Sequence, residues 1–188
     1  MTLLEKLKAR AHVFLRAGEL LDAYDNLMET FVEEQYKWLF ERIRPNTSLI
    51  DIGAGIGDTA FYFKNNKNIT GKHAFEPNAW KAREAERWLK RSNKAGISFH
   101  NVAINTWSDV KPYLSKNYAI KCDVEGAEHF IFPKEADLSG CYVLMMEYHN
   151  GLQELPRIFA GMGFSGNTSK RVITRDLGEV GFIYAERE

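Results

Sequence analysis

Side chains able to move a proton or hold a cation gather in two short stretches of this sequence. The segment "IKCDVEGAEHFIF", residues 120–132, runs apolar into Asp123 and then carries Glu125, Gly126 and Glu128. The segment "YVLMMEYHN", residues 142–150, ends its apolar run in Glu147 and His149. Carboxylates beside an imidazole suit two kinds of chemistry. They can orient a hydroxyl and take its proton, histidine having a pKa suited to a base. They can also hold a divalent ion that acidifies the hydroxyl. No metal site is assigned, because His149 is the only histidine of the group and the spacing matches no metal-ligand signature. A plainer reading is open as well: Glu125 and Glu128 complement a helix N-terminus, and His149 merely ends a strand.

A third stretch, "LIDIGAGIGDTAFYF" (residues 49–63), breaks from an apolar run into Gly53, Gly55 and Gly57. Glycine inside an element costs about 0.5–1 kcal/mol relative to alanine, so three in five residues suggest a close approach to the backbone. The dinucleotide fingerprint is GxGxxG, and its third glycine would fall on Asp58. A pyrophosphate would meet a carboxylate there, whereas a cationic or zwitterionic ligand would be tolerated. S-adenosylmethionine, with a sulfonium, an amino group and a carboxylate but no phosphate, is such a ligand. The loop Gly53, Ala54, Gly55, Gly57 would face its methionine moiety, with Asp51 receiving the cation or the amino group. "HAFEPNAW" follows, ending its strand in Glu76 about 20 residues on, where a carboxylate can accept both hydroxyls of a ribose. Pro77 fixes the turn and Asn78 can cap the next helix. In "HNVAIN", Asn101 or the backbone of Val102 and Ala103 is placed to meet an adenine edge.

These residues need elements to hold them. Short apolar runs at 48–52, 72–75, 97–103, 118–124 and 141–148 read as strands, alternating with amphipathic helices near 58–64, 79–92, 108–114, 127–132 and 153–160. Such alternation implies a parallel sheet covered on both faces. The tail, residues 164–172 and 180–186 around "RDLGE", reads as an antiparallel hairpin. Upstream, Leu3, Leu4, Leu7, Ala11, Phe14 and Leu15 share one helical face. A second helical pattern runs from Leu20 through Tyr24, Phe31 and Leu39 to Ile43, ending before Pro45. The sequence therefore predicts a helical extension over residues 1–45 and an α/β domain over residues 46–188. The aromatics Trp80, Trp88 and 130–132 read as core rather than as a substrate platform.

Composition bounds the function. With 188 residues, 45% hydrophobic and 27% charged, the chain suits one soluble domain with an appendage. The 25 basic residues balance 25 acidic ones, which argues against a partner held by a broad basic field, so nucleic acid is disfavoured. Cys122 and Cys141 lie in apolar runs with no CxxC, as expected of reduced thiols in a cytoplasmic protein. No apolar run nears the roughly 20 residues of a membrane span.

The order of "DIGAGIGDTAFYF", "FEPNAW", "NVAI", "IKCDVEGAEHFIF" and "LMMEYHNG" resembles FkbM-type S-adenosylmethionine-dependent methyltransferases, over roughly residues 47–150. "KCDVEGAE" is its most specific part. The segment between Ala103 and Tyr118 is shorter than the variable stretch often found there. The resemblance implies a Rossmann-like class I fold: a mostly parallel seven-stranded sheet, an antiparallel C-terminal hairpin, and helices on both faces. It implies O-methylation of small or carbohydrate-like acceptors. It matches Gly53, Gly55, Glu76 and Ala103 to cofactor-binding positions, and Asp123 to the acid ending the fourth strand. In that fold the fourth and fifth strands are neighbours, so Asp123, Glu125, Glu147 and His149 would converge beside the methyl sulfonium as the catalytic group. The position of the D/N-P-P-Y/F turn of many nucleic-acid amino-methylases reads "DVEG", which favours oxygen over exocyclic nitrogen as acceptor. The expected protein is a monomer or homodimer acting on a small molecule. Methylation of RNA or protein through the N-terminal helices, or a non-catalytic binding protein on the same fold, are the alternatives.

Overall fold

The central strands Thr47–Ile52, Tyr118–Cys122 and Cys141–Tyr148 are rich in apolar side chains on both faces, so they need cover on both sides. The computed structural model, which describes residues 28–91, 96–174 and 178–188, supplies it. Seven strands form one sheet: β1 (Thr47–Ile52), β2 (Ile69–Phe75), β3 (Ile97–His100), β4 (Tyr118–Cys122), β5 (Cys141–Tyr148), β6 (Ser165–Thr174) and β7 (Gly178–Glu186). Their spatial order is β3-β2-β1-β4-β5-β7-β6. Strands β1 to β5 pair in parallel, while β7 runs antiparallel to both β5 and β6. The fold is thus the expected mixed α/β sheet with a C-terminal hairpin.

Alternation along each strand sorts the core into two layers. Ile50, Ile120, Cys122, Leu144 and Met146 face one side and pack with Trp107, Ile131, Phe132 and Phe159. Leu49, Ala119, Val143 and Met145 face the other and pack with Tyr36, Leu39, Ile43 and Phe63. Leu39 belongs to α1 (Lys37–Arg42), so the described part of the predicted extension shares a core with the sheet. The remaining helices are α2 (Asp58–Tyr62), α3 (Ala79–Arg91), α4 (Trp107–Val110), α5 (Glu128–Ile131) and α6 (Leu155–Gly161). None of the helices among the described residues is long and apolar enough to cross a membrane.

Several expectations need correction. The second N-terminal pattern is not one helix: residues 28–31 are helical, the chain then turns, and Glu34 adopts φ 53° before α1 begins. Strand β3 stops at His100 rather than Ala103. There the Asn101 side chain donates to the carbonyls of Glu76 and Pro77, turning the chain aside. Strand β4 stops at Cys122 rather than Val124, because Glu125 and Gly126 take φ 53° and 110° and bend the chain into α5. Phe130 is 73% exposed and not part of the core, although Phe132 and Trp88 are buried as expected. Residues 3–16 and the tip of the C-terminal hairpin lie outside the described residues.

Candidate active site at the carboxyl edge of the sheet

The order of strands reverses between β1 and β4: from β1 the chain builds outward to β2 and β3, then returns to the other side. In open parallel sheets ligands bind beyond the strand ends at such a switch point. The glycine loop leaves β1 there. Gly53, Gly55 and Gly57 all have positive φ (77°, 53° and 82°). What comes close to the loop is largely the protein itself. A Cβ on Gly53 would lie 1.6 Å from the Asp123 carbonyl oxygen, and one on Gly57 would lie 2.9 Å from Ala85 Cβ in α3. The first glycine thus lets β1 and β4 leave the sheet side by side, and the third lets α3 pack on the loop. Ala54 is buried, and the amides of Gly53 and Ala54 both donate to Phe75 O.

Glu76, at the end of β2, is buried and reaches back to this loop. Its Oε2 accepts from Gly55 N at 2.9 Å and its Oε1 from Asn78 N at 2.7 Å. Each carboxylate oxygen keeps a further lone pair for another donor. Asn78 Oδ1 accepts from the amides of Trp80 and Lys81, capping α3 after Pro77. Asn101 spends its amide on the β2–α3 turn, as described above. Val102 beside it is 43% exposed, an apolar side chain at the mouth of the edge, and Ala103 is exposed too.

Beneath the loop lies a buried ion pair. Asp51 and Lys121 are register partners on β1 and β4, and Lys121 Nζ stands 3.3 Å from Asp51 Oδ1. The same ammonium donates to Gly53 O at 2.6 Å and lies 5.7 Å from the centroid of the Tyr36 ring. Burial alone would lower the Lys121 pKa, but Asp51 and the other nearby acids outweigh it and hold the ammonium charged. Asp51 Oδ2 is buried, with no hydrogen-bond partner among the described residues. The sequence reading left Lys121 unassigned. Its signal was available: one cation inside the apolar run "YAIKC", at the depth where β1 carries one anion.

The acids and the imidazole meet on the β4 and β5 side. Asp123, Glu125 and His149 each offer one ligand atom, and these lie within 4.8 Å of one another. Glu147 is not one of the three; it sits half-buried on β5 opposite Phe182 of β7. His149 is 3% exposed, and its Nε2 lies 3.4 Å from Glu125 Oε2. Its Nδ1 lies 3.2 Å from Oε1 of Glu128, which is fully buried and also accepts from the His149 amide. Glu128 Oε2 in turn accepts from Gly126 N at 2.9 Å. Burial opposes charge on both partners, but their contact holds Glu128 below and His149 above the usual values. Burial, with Asp123 adding to it, raises Glu125. Glu128, for which the sequence leaves both a chemical and a helix-end reading open, is therefore the residue that fixes the imidazole.

Similar architectures occur among solved structures. The chain superposes on the M. capricolum TrmK structure in complex with S-adenosyl-homocysteine with a TM-score of 0.62, at 14% identity, over 82% of this chain and 68% of that one. Magnesium protoporphyrin IX methyltransferase (ChlM) from Synechocystis PCC 6803, with bound SAM, gives a TM-score of 0.61 at 15% identity over 97% and 91%. An rRNA methylase from Streptococcus thermophilus gives 0.56 at 10% identity over 83% and 95%. The chain has the class I methyltransferase fold. No protein-family model matches it, and neither does any curated protein at significant similarity.

Proposed function

We propose that this chain is an FkbM-type, S-adenosylmethionine-dependent methyltransferase that acts on oxygen of a small-molecule or sugar-like acceptor in the cytoplasm, as a monomer or homodimer. One observation carries the reading: the loop at Gly55, the carboxylate of Glu76 and the group Asp123, Glu125 and His149 all sit at the carboxyl ends of adjacent strands. The residues fit the ligand. Glu76 keeps lone pairs for ribose hydroxyls, Val102 and the Ala103 backbone offer a surface for adenine, and Asp51 Oδ2 lacks a donor among the described residues. When bound, S-adenosylmethionine supplies an electrophilic methyl group on a sulfonium.

The chain's own task is then alignment, which is worth roughly 7–11 kcal/mol when reacting atoms are held in line. The group Asp123, Glu125 and His149 orients the acceptor hydroxyl and eases loss of its proton. Glu128 holds the imidazole in one tautomer. Tyr36, whose ring centroid lies 5.7 Å from Lys121 Nζ, flanks the buried pair beneath the loop. An RNA acceptor is the second reading, favoured by the rRNA methylase among the similar structures. Calorimetry tests the first: S-adenosylhomocysteine should bind and NADH should not. Binding of NADH without S-adenosylhomocysteine would reject it. Salt-dependent RNA retention by the purified chain would favour the second reading.

A further inference from the structure

Both ring nitrogens of His149 face carboxylates, and a neutral imidazole has only one N–H to give. Nδ1 lies 3.2 Å from Oε1 of the fully buried Glu128, which as a carboxylate can only accept, so the N–H of a neutral ring is assigned to Nδ1. That fixes the tautomer and aims the Nε2 lone pair at Glu125 Oε2, 3.4 Å away, with an Asp123 oxygen within the same 4.8 Å group. When the imidazole is neutral, its Nε2 lone pair and the two carboxylates converge on one point, and a bound cation takes the place of the second imidazole proton. We propose that Asp123, Glu125 and His149 are the ligands of one divalent transition-metal ion, with Glu128 as the buried carboxylate that orients the imidazole.

The donor set and its surroundings support this beyond mere proximity. Metal-bound histidines characteristically give their other ring N–H to a carboxylate, which is the arrangement of Glu128 and His149. Bonds of about 2.1 Å bring neighbouring ligand atoms to roughly 3–3.5 Å, so the group must close by about an ångström. Glu125, whose side chain is 70% exposed, is free to make that movement, while His149 is held still. One nitrogen and two oxygens suit manganese, iron(II), cobalt or zinc better than calcium or magnesium, which prefer oxygen alone. Three protein ligands leave positions open to solvent or substrate, the pattern of a catalytic rather than a structural site. Lys121 Nζ is 4.0 Å from Asp123 Oδ2 but is already engaged by Asp51 and Gly53 O. The ion's role, making an acceptor hydroxyl more acidic so that its proton leaves to solvent, rests on the methyl-transfer reading. The binding does not.

Mn2+ titrated into the EDTA-stripped full chain, with free ion read by electron paramagnetic resonance, tests the site. One ion per chain is expected. Glu125→Gln alters an exposed side chain, so its thermal midpoint should stay unchanged while Mn2+ affinity falls at least tenfold. Glu128→Gln should weaken binding by about 10–100-fold without removing a ligand. Absence of saturable Mn2+ or Zn2+ binding overturns the proposal, as does unchanged affinity in folded Glu125→Gln and His149→Ala. S-adenosylhomocysteine binding in the same samples separates the two readings. A chain that binds Mn2+ but not S-adenosylhomocysteine keeps the metal site and rejects methyl transfer, and the converse result rejects the metal site alone.

Discussion

Lys121 Nζ stands 3.3 Å from Asp51 Oδ1 and donates to Gly53 O, so one ammonium ties the end of β1 to the end of β4. Both side chains are 3% exposed. Removing one member of such a pair leaves an uncompensated buried charge, which costs about 3–5 kcal/mol. Lys121→Met should therefore lower unfolding stability in guanidinium by about that amount. The double variant Asp51→Asn with Lys121→Met should recover most of the loss. A double-variant loss equal to the sum of the losses in Lys121→Met and Asp51→Asn alone would show that the pair is not coupled.

Gly53 is irreplaceable for a reason internal to the protein. An alanine Cβ would lie 1.6 Å from Asp123 O, at a backbone φ of 77°. The left-handed conformation alone costs roughly 1–2 kcal/mol for a residue with a Cβ, and the clash must push β1 and β4 apart as well. Gly53→Ala should lower the thermal midpoint by more than Gly163→Ala. Gly163 also has positive φ (84°), but no atom of the described residues lies within 4 Å of its would-be Cβ. Equal shifts would mean that the strand ends give way easily.

Glu76→Ala should weaken S-adenosylhomocysteine binding by about tenfold to a hundredfold, since hydrogen bonds to a charged group contribute roughly 1.5–3 kcal/mol. The same carboxylate holds the Gly55 and Asn78 amides, so the loop loses its anchor too. A dissociation constant unchanged in the folded variant would limit Glu76 to that anchoring role.

The sheet was legible because its information is local: apolar runs, turn residues and helix caps. Strands β4 and β5 announce themselves in "YAIKC" and "CYVLMMEY", and Asn78 caps the helix that its place after Pro77 predicts. What the sequence hid was partnership across the sheet. Nothing local says that Lys121 answers Asp51, 70 residues away, or that Glu128 rather than Glu147 is bonded to His149. The glycines were rightly read as a place of close approach, but the approaching groups at Gly53 and Gly57 are β4 and α3. The break at residues 32–36 was invisible because the apolar spacing of a helix continues through it.

Asp58 gives the fold a pH dependence of known sign. It is 5% exposed at the start of α2, and Thr30 Oγ1 donates to its Oδ2 at 2.5 Å. Burial raises its pKa from 3.8 to about 6, with the Thr30 hydrogen bond working in the opposite direction. Below about pH 4 the carboxyl is protonated in folded and unfolded chains alike, and it contributes no cost of ionisation. Between about 4 and 6 the folded chain keeps a proton that the unfolded chain has released, so stability falls as the pH rises through that window. Above it the full cost, about 3 kcal/mol, is present. Urea unfolding at pH 5 and pH 7.5 should show the wild type losing about 1 kcal/mol more than Asp58→Asn on going to the higher pH. Thr30→Val removes the hydrogen bond that favours the carboxylate, so it should move the upper end of the window to higher pH. If the wild type and Asp58→Asn change equally between the two pH values, Asp58 is ionised at its ordinary pKa and the Thr30 contact outweighs burial.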